Sequence, residues 1–201
     1  RNAAASAASG EYILLMDDDN VARPQEVETL GSVAKATGAD VFTAQQQPFV
    51  GSAGAPRHVA ERPIGFLPTG ANIALGLYEN CFGDLNMMVA TKTWHALCGF
   101  PTDRCGCEDY EFLARAVLKG YKLECIPEIL FYYRVSDNQL ARRYDEASLY
   151  RSFVRPIRPY IHGLPRELQA AFSFAVTSRR HAERMAGHGY WHREDVEFNS
   201  L

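Results

Sequence analysis

Apolar runs with abrupt polar stops divide this chain into alternating strand-like and helix-like segments. Tyr12-Ile13-Leu14-Leu15-Met16 shows no polar alternation, the pattern of a strand buried on both faces of a parallel sheet, and it ends in Asp17-Asp18-Asp19-Asn20. Residues 1–9 are alanine-rich and helical. Arg23-Pro24 opens a helix that runs to Thr37, with Gly38 as its stop. Val41-Phe42-Thr43-Ala44 predicts a short strand, residues 86–90 a second buried strand, and residues 91–97 a short helix. Residues 106–121 place acids in a first helical turn, apolar residues at helical spacing behind them, and Gly120 at the end. Leu123-Glu124-Cys125-Ile126-Pro127 follows that helix, and residues 129–134 read as a later strand. Residues 145–154 and 165–186 read as two further helices. Between Gln45 and Gly76 glycine and proline become frequent, and residues 49–63 resemble the long irregular segments that border sites. The pattern as a whole is α/β.

Chemistry enters with the acids. Sheets of this class hold their ligands at the carboxyl ends of strands, where Asp17, Asp18 and Asp19 fall. Three adjacent like charges repel and lose hydration when buried, so a cation is expected among them. Oxygen-only ligands point to Mg²⁺ or Mn²⁺, with Asp17 and Asp19 sharing the ion with a diphosphate. An acidic turn that only caps the next element explains the same residues without function. Glu108-Asp109 adds a second acidic pair at a helix start, a place that favours acids whether or not they act.

The motifs gain weight from their order. Arg1-Asn2-Ala3-Ala4, Gly10-Glu11-Tyr12 and Asp17-Asp18-Asp19 are followed by Gly99-Phe100, then Glu108-Asp109-Tyr110-Glu111-Phe112, then Gly120-Tyr121-Lys122 and the run from Ile129 to Arg134. In this order the chain resembles the family 2 glycosyltransferases over about residues 1–134. The resemblance implies a partial GT-A fold: a Rossmann-like mixed sheet flanked by helices, with residues 135–201 as a helical C-terminal extension. In that family the first strands, which hold the nucleotide's base and ribose, precede the Arg-Asn helix. This chain is therefore expected to lack them, and to present an uncovered sheet edge open to self-association.

The resemblance also implies roles. Asp19, with Asp17, would hold Mn²⁺ or Mg²⁺ on the donor diphosphate, Asp18 being a spacer in the same donor-binding run. Asp109 would be the general base and Glu108 would orient the acceptor, giving transfer with inversion from a nucleotide-diphosphate sugar to a hydroxyl of a glycan or lipid-linked acceptor. Two other classes stay open on the residues: a noncatalytic or incomplete glycan- or protein-binding fragment, and a metal-dependent nucleotidyl- or phosphotransferase. Asn86 lies in an acceptor-side or donor-sugar segment of the family, and Trp94 is a sugar-stacking or a core residue. Gln139-Leu140-Ala141-Arg142-Arg143 departs from the Gln-x-x-Arg-Trp element of processive relatives at Arg143. His162 competes with five other histidines as a further metal ligand, and none has a distinguishing spacing.

Composition narrows the classes. With 201 residues, 47% hydrophobic and 22% charged, the chain has enough apolar material for a sizeable core. Residues 1–133 hold 10 Lys and Arg against 16 Asp and Glu, which argues against nucleic acid as a partner. Residues 134–201 reverse the sign, with 11 Arg, no Lys and 8 Asp and Glu; a solvated helical face or a peripheral contact with an anionic membrane surface accounts for this. No apolar stretch nears the ~20 residues of a membrane span. Five cysteines without paired metal-type spacing fit a reducing compartment, so the expected location is cytoplasmic, including the inner face of a membrane.

Overall fold

The computed structural model describes residues 1–52, 55–57, 67–102, 107–135 and 153–187, with the side chains of all of these but residues 52, 55–57 and 178–187. Among the described residues six strands form one sheet: β1 (Tyr12–Leu14), β2 (Val21–Ala22), β3 (Val41–Ser52), β4 (Ala55–Arg57), β5 (Met88–Ala90) and β6 (Leu123–Arg134). Their order is β1-β5-β3-β6-β2, with β4 turned back onto β3. β3 and β6 run parallel, and the other pairings are antiparallel, so the sheet is mixed. The helices are α1 (Asn2–Ala7), α2 (Glu26–Thr37), α3 (Ile73–Gly76), α4 (Thr91–Ala96), α5 (Glu108–Leu118) and α6 (Arg166–Gly187), with a 3₁₀ turn over Ile161–Gly163. No helix among the described residues is long and apolar enough to cross a membrane.

Strand periodicity sorts side chains into two cores. Ile13, Val41, Met87 and Val89 face a layer built with Trp94, Leu97, Phe100, Phe112, Leu113 and Val117. Phe42, Ala44, Met88 and Leu130 face the opposite way, onto Leu30 and Ala34 of α2. α2 begins three residues after Arg23 and stops at Gly38, whose φ of 60° is the left-handed conformation that glycine adopts without steric cost. Phe153, Ile157 and Phe172 pack into the first core.

Three expectations need correction. The Tyr12–Met16 run is not a strand of a parallel sheet buried on both faces. β1 is paired antiparallel with β5 at one end of the sheet, Ile13 and Leu15 turn inward, and Leu14 and Met16 are exposed. Long apolar side chains gave no alternation to read. The strand at Val41–Ala44 is longer than its apolar core: it continues to Ser52, because Gln45 to Phe49 keep pairing with β6 after two register shifts. β6 likewise runs unbroken from Leu123 to Arg134, and Pro127 falls in the stretch where the register is interrupted and its missing N–H is tolerated. The segment 145–154 lies mostly outside the described residues, and α6 occupies the expected 165–186 region.

Candidate active site

The acid-bearing segments converge through short polar links. Asn2 in α1 donates to the Phe100 carbonyl at 2.9 Å and accepts from the Phe100 N–H at 3.0 Å. Arg115 of α5 donates to the Leu97 and Gly99 carbonyls at 2.8 and 2.6 Å. A Cβ on Gly99 would come within 2.8 Å of the Asn2 Oδ1 and 3.0 Å of the Trp94 ring, and its φ of 63° is left-handed. The Arg-Asn and Gly-Phe segments and α5 therefore form one joint. This joint brings Arg1 between the acids. Its Nη2 donates to the Asp17 Oδ1 at 2.5 Å, and its Nη1 pairs with the Glu108 Oε1.

The opposite side is set by β1, β5 and β6. The Leu15 N–H donates to the Met87 carbonyl at 2.9 Å, aligning the end of β1 with the 84–87 segment. Within that segment Gly83 packs against Thr43 so closely that a Cβ would meet the Thr43 Cγ2 at 2.3 Å, and the Thr43 hydroxyl donates to the Phe82 carbonyl at 2.8 Å. Asp84 follows directly. Its Oδ1 accepts from the Asn86 N–H at 2.8 Å, and the Asn86 side-chain amide donates to Glu26 Oε1 at 2.6 Å. Asn86 and Glu26 are 3% and 1% exposed, and the Asp84 Oδ2, the Asn86 Oδ1 and the Glu26 Oε2 have no hydrogen-bond partner among the described residues. From β6, the Arg134 N–H donates to the Asn20 Oδ1 at 3.1 Å, and the Arg134 Nη1 lies 3.5 Å from the Asp19 Oδ2.

Proton affinities register the convergence. Burial pushes the Asp84 carboxyl up to about 7, and the Asp109 charge adds to this, ahead of smaller contributions from Asp17 and Glu26. Burial likewise lifts Asp109 to about 6; the Tyr110 N–H opposes it, while Glu108 and Asp17 reinforce it. Asp17 is raised by burial, and Asp19 and Glu108 reinforce that rise against the Arg1 charge. Tyr133 is pushed to about 12, first by burial and then by Asp84, Asp17, Asp109 and Asp19. Acids from the end of β1, the β5 approach and the start of α5 thus feel one another. Two of these carboxyls are poised near neutrality, a setting suited to taking up a proton from a substrate.

Asp17, Asp19, Glu108 and Asp109 are thus brought together, while Asp18 points to solvent. Trp94 is 2% exposed and packs edge-on to Phe100 and tilted to Phe112, at 4.9 and 5.0 Å between centroids; it is a core residue. His162 is exposed on the 3₁₀ turn, and Gln139 to Arg143 lie outside the described residues. Sequence reasoning missed Asp84, Tyr133 and Arg134. Asp84 follows a glycine before a buried strand and Arg134 ends an apolar one, both weak signals that turns and strand ends share.

Among the described residues no three His, Cys, Asp or Glu side chains form a metal-holding group. The acids nonetheless fit a hard divalent ion. Asp17 and Asp19 are partly exposed oxygen donors close enough to act on each other's charge, and Mg²⁺ and Mn²⁺ commonly take one or two carboxylates and complete their shell with substrate phosphate and water.

The fold and sequence have known counterparts. Residues 1–95 match the glycosyl transferase family 2 model. The structure is similar to that of TarS residues 1–349 from S. aureus in complex with UDP-GlcNAc, with a TM-score of 0.58 and 16% identity over 87% of this chain and 51% of that one. The UDP complex of the same protein gives 0.56 and 19% identity over 97% and 52%. The mannosyltransferase PcManGT from Pyrobaculum calidifontis, in complex with GDP-Man and Mn²⁺, gives 0.53 and 15% identity over 92% and 53%. The chain thus spans about half the length of the structures it matches. No curated protein sequence matches it. Residues 1–95 are thus similar in sequence to the family 2 glycosyltransferases, and the mixed sheet with helices on both its faces has the GT-A fold of the TarS and PcManGT structures.

Proposed function

We propose that this chain forms the catalytic part of an inverting glycosyltransferase that moves a sugar from a nucleotide diphosphate to an acceptor hydroxyl. The observation that carries the reading is that Asp109, raised to about 6, feels the charge of Asp17 at the end of β1, which in turn feels that of Asp19. At neutral pH an acid with that proton affinity is mostly ionised yet basic enough to accept a proton, an effect worth about 10²–10⁴ in rate. Asp109 takes the acceptor's hydroxyl proton as the new bond forms, and Glu108, fixed by Arg1, orients the acceptor. A single base with direct displacement gives inversion.

Asp19, with Asp17, holds the divalent ion. When bound, that ion neutralises charge on the departing diphosphate. Arg1 and Arg134 supply fixed positive charge around the same acids, where a phosphate oxygen replaces a carboxylate as partner. The nucleotide-sugar ligands of the TarS and PcManGT complexes support the donor class, and the Mn²⁺ of the latter supports the metal.

The test uses the full-length protein that carries this chain. UDP and GDP are offered with and without Mn²⁺ in thermal-shift measurements, beside Asp19→Ala. A metal-dependent rise in Tm that the variant loses supports the donor site. Asp109→Asn should leave that rise intact and reduce transfer by about 10²-fold or more. Transfer that survives Asp109→Asn would remove the base assignment.

A further inference from the structure

The first turn of α5 carries three acids, Glu108, Asp109 and Glu111, and begins at Cys107 without a side-chain cap. Such a turn gains from the helix dipole but is loosened by mutual repulsion, so something outside the helix must fix it. Two arginines from distant segments do so. Arg1 pairs with Glu108, and Arg155 donates from both Nε, at 2.9 Å, and Nη2 to the Oε2 of Glu111. Glu111 is 6% exposed while the Arg155 side chain is partly open to solvent, so the pair is buried on its acidic side. Among the described residues no cation pairs with Asp109, the acid between them.

The same stretch of chain grips the helix a second time. Phe153, two residues before Arg155, stacks on Tyr110 at 5.4 Å and 9°. Tyr110 in turn stacks on Phe82 at 6.0 Å and donates its hydroxyl to the Gly76 carbonyl at 2.9 Å, while Phe153 stacks on Phe172 of α6 at 6.3 Å. Phe82 adjoins Gly83-Asp84. A continuous row of rings therefore links α6, the turn at residue 153, the start of α5 and the Asp84 segment.

We infer that Arg155 is a positioning residue for the acid pair Glu108-Asp109: its grip on Glu111, with Phe153 stacked on Tyr110, makes the C-terminal segment part of the catalytic apparatus. The inference rests on the reading of Asp109 as the base. Arg155 acts by holding the helical turn and by placing a positive charge on Glu111, two residues along the helix from Asp109, in a setting that otherwise faces Asp109 with Glu108, Asp17, Asp84 and Tyr133.

The experiment follows the Asp109 carboxyl by carbon NMR in the full-length protein, its signal identified by loss in Asp109→Asn. Arg155→Met removes a positive charge and should raise the midpoint by about half a pH unit; Glu111→Gln removes a negative one and should lower it; Arg155→Lys should stay near wild type. General loosening would move the first two variants in the same direction. Shifts of one sign, or no shift in either, would overturn the inference. If Arg155→Met fails to fold, Glu111→Gln decides, a lowered midpoint supporting the inference and an unmoved one overturning it. The base assignment fails separately: transfer retained in Asp109→Asn would refute it whatever the midpoints do.

Discussion

Replacing Asp84 by asparagine should stabilise the protein above neutral pH and leave it nearly unchanged in acid. The carboxyl is raised from 3.8 to about 7, chiefly by burial, so the native state keeps a proton that the unfolded chain has already lost. Because the native state binds more protons across that window, stability falls as pH rises from about 4 to about 7 and then levels off. Each pH unit of difference is worth about 1.4 kcal/mol, which puts the full burden near 4 kcal/mol; screening and relaxation reduce it to about 2–4. Asparagine keeps the oxygen that accepts from the Asn86 N–H and carries no charge to desolvate. Urea unfolding of wild type and Asp84→Asn, run in a chelator from pH 4 to pH 9, measures the difference directly. The two curves should coincide at pH 4 and separate by about 2–4 kcal/mol at pH 8, a rise of about 4–16 °C in Tm for a chain of this size. A pH-independent gap, or a variant less stable than wild type at pH 8, would refute the reasoning. Loss of transfer in the same variant would show that the buried charge is retained for function at the expense of stability.

Other consequences are as direct. Gly83→Ala brings a Cβ to 2.3 Å from the Thr43 Cγ2 at a φ of 150°, so unfolding should cost at least about 2 kcal/mol less than in wild type; a change below about 0.5 kcal/mol in denaturant melts would show that the segment moves freely. Trp94→Ala empties a core position against Phe100 and Phe112 and should destabilise by about 3–5 kcal/mol with no effect on UDP or GDP affinity; weakened nucleotide binding at unchanged stability would restore a ligand-stacking role. Tyr110→Phe removes the bond to the Gly76 carbonyl and should lose about 1–2 kcal/mol in the same melts, an unaltered midpoint meaning that the carbonyl finds another donor.

Much of the framework was written locally. The existence of α2 and α5 and the glycines that end them followed from signals acting within a few residues, while both helices begin two or three residues later than the Arg23 and Gly106 starts the sequence suggests. The acids at the end of β1 and at the start of α5 could be selected because a charge cluster against an apolar run is visible without a fold. Strand extent was not: β3 runs through Gln45-Gln46-Gln47 because β6 lies beside it, and no local pattern encodes a neighbour. The exposed side of β1 was hidden for the same reason, since Leu14 and Leu15 look identical in sequence and differ only in which face the sheet covers.

What only the tertiary structure decided is how distant charges meet. Arg1 reaches Glu108, Arg134 reaches Asp19, and Arg155 closes on Glu111. Asp84 acquires its high proton affinity from burial and from Asp109, twenty-five positions away. The residue types that do chemistry are fixed by sequence, because a carboxylate is a carboxylate wherever it lies. Their protonation and pairing depend on burial and separation in space, and those arise only when the chain has folded.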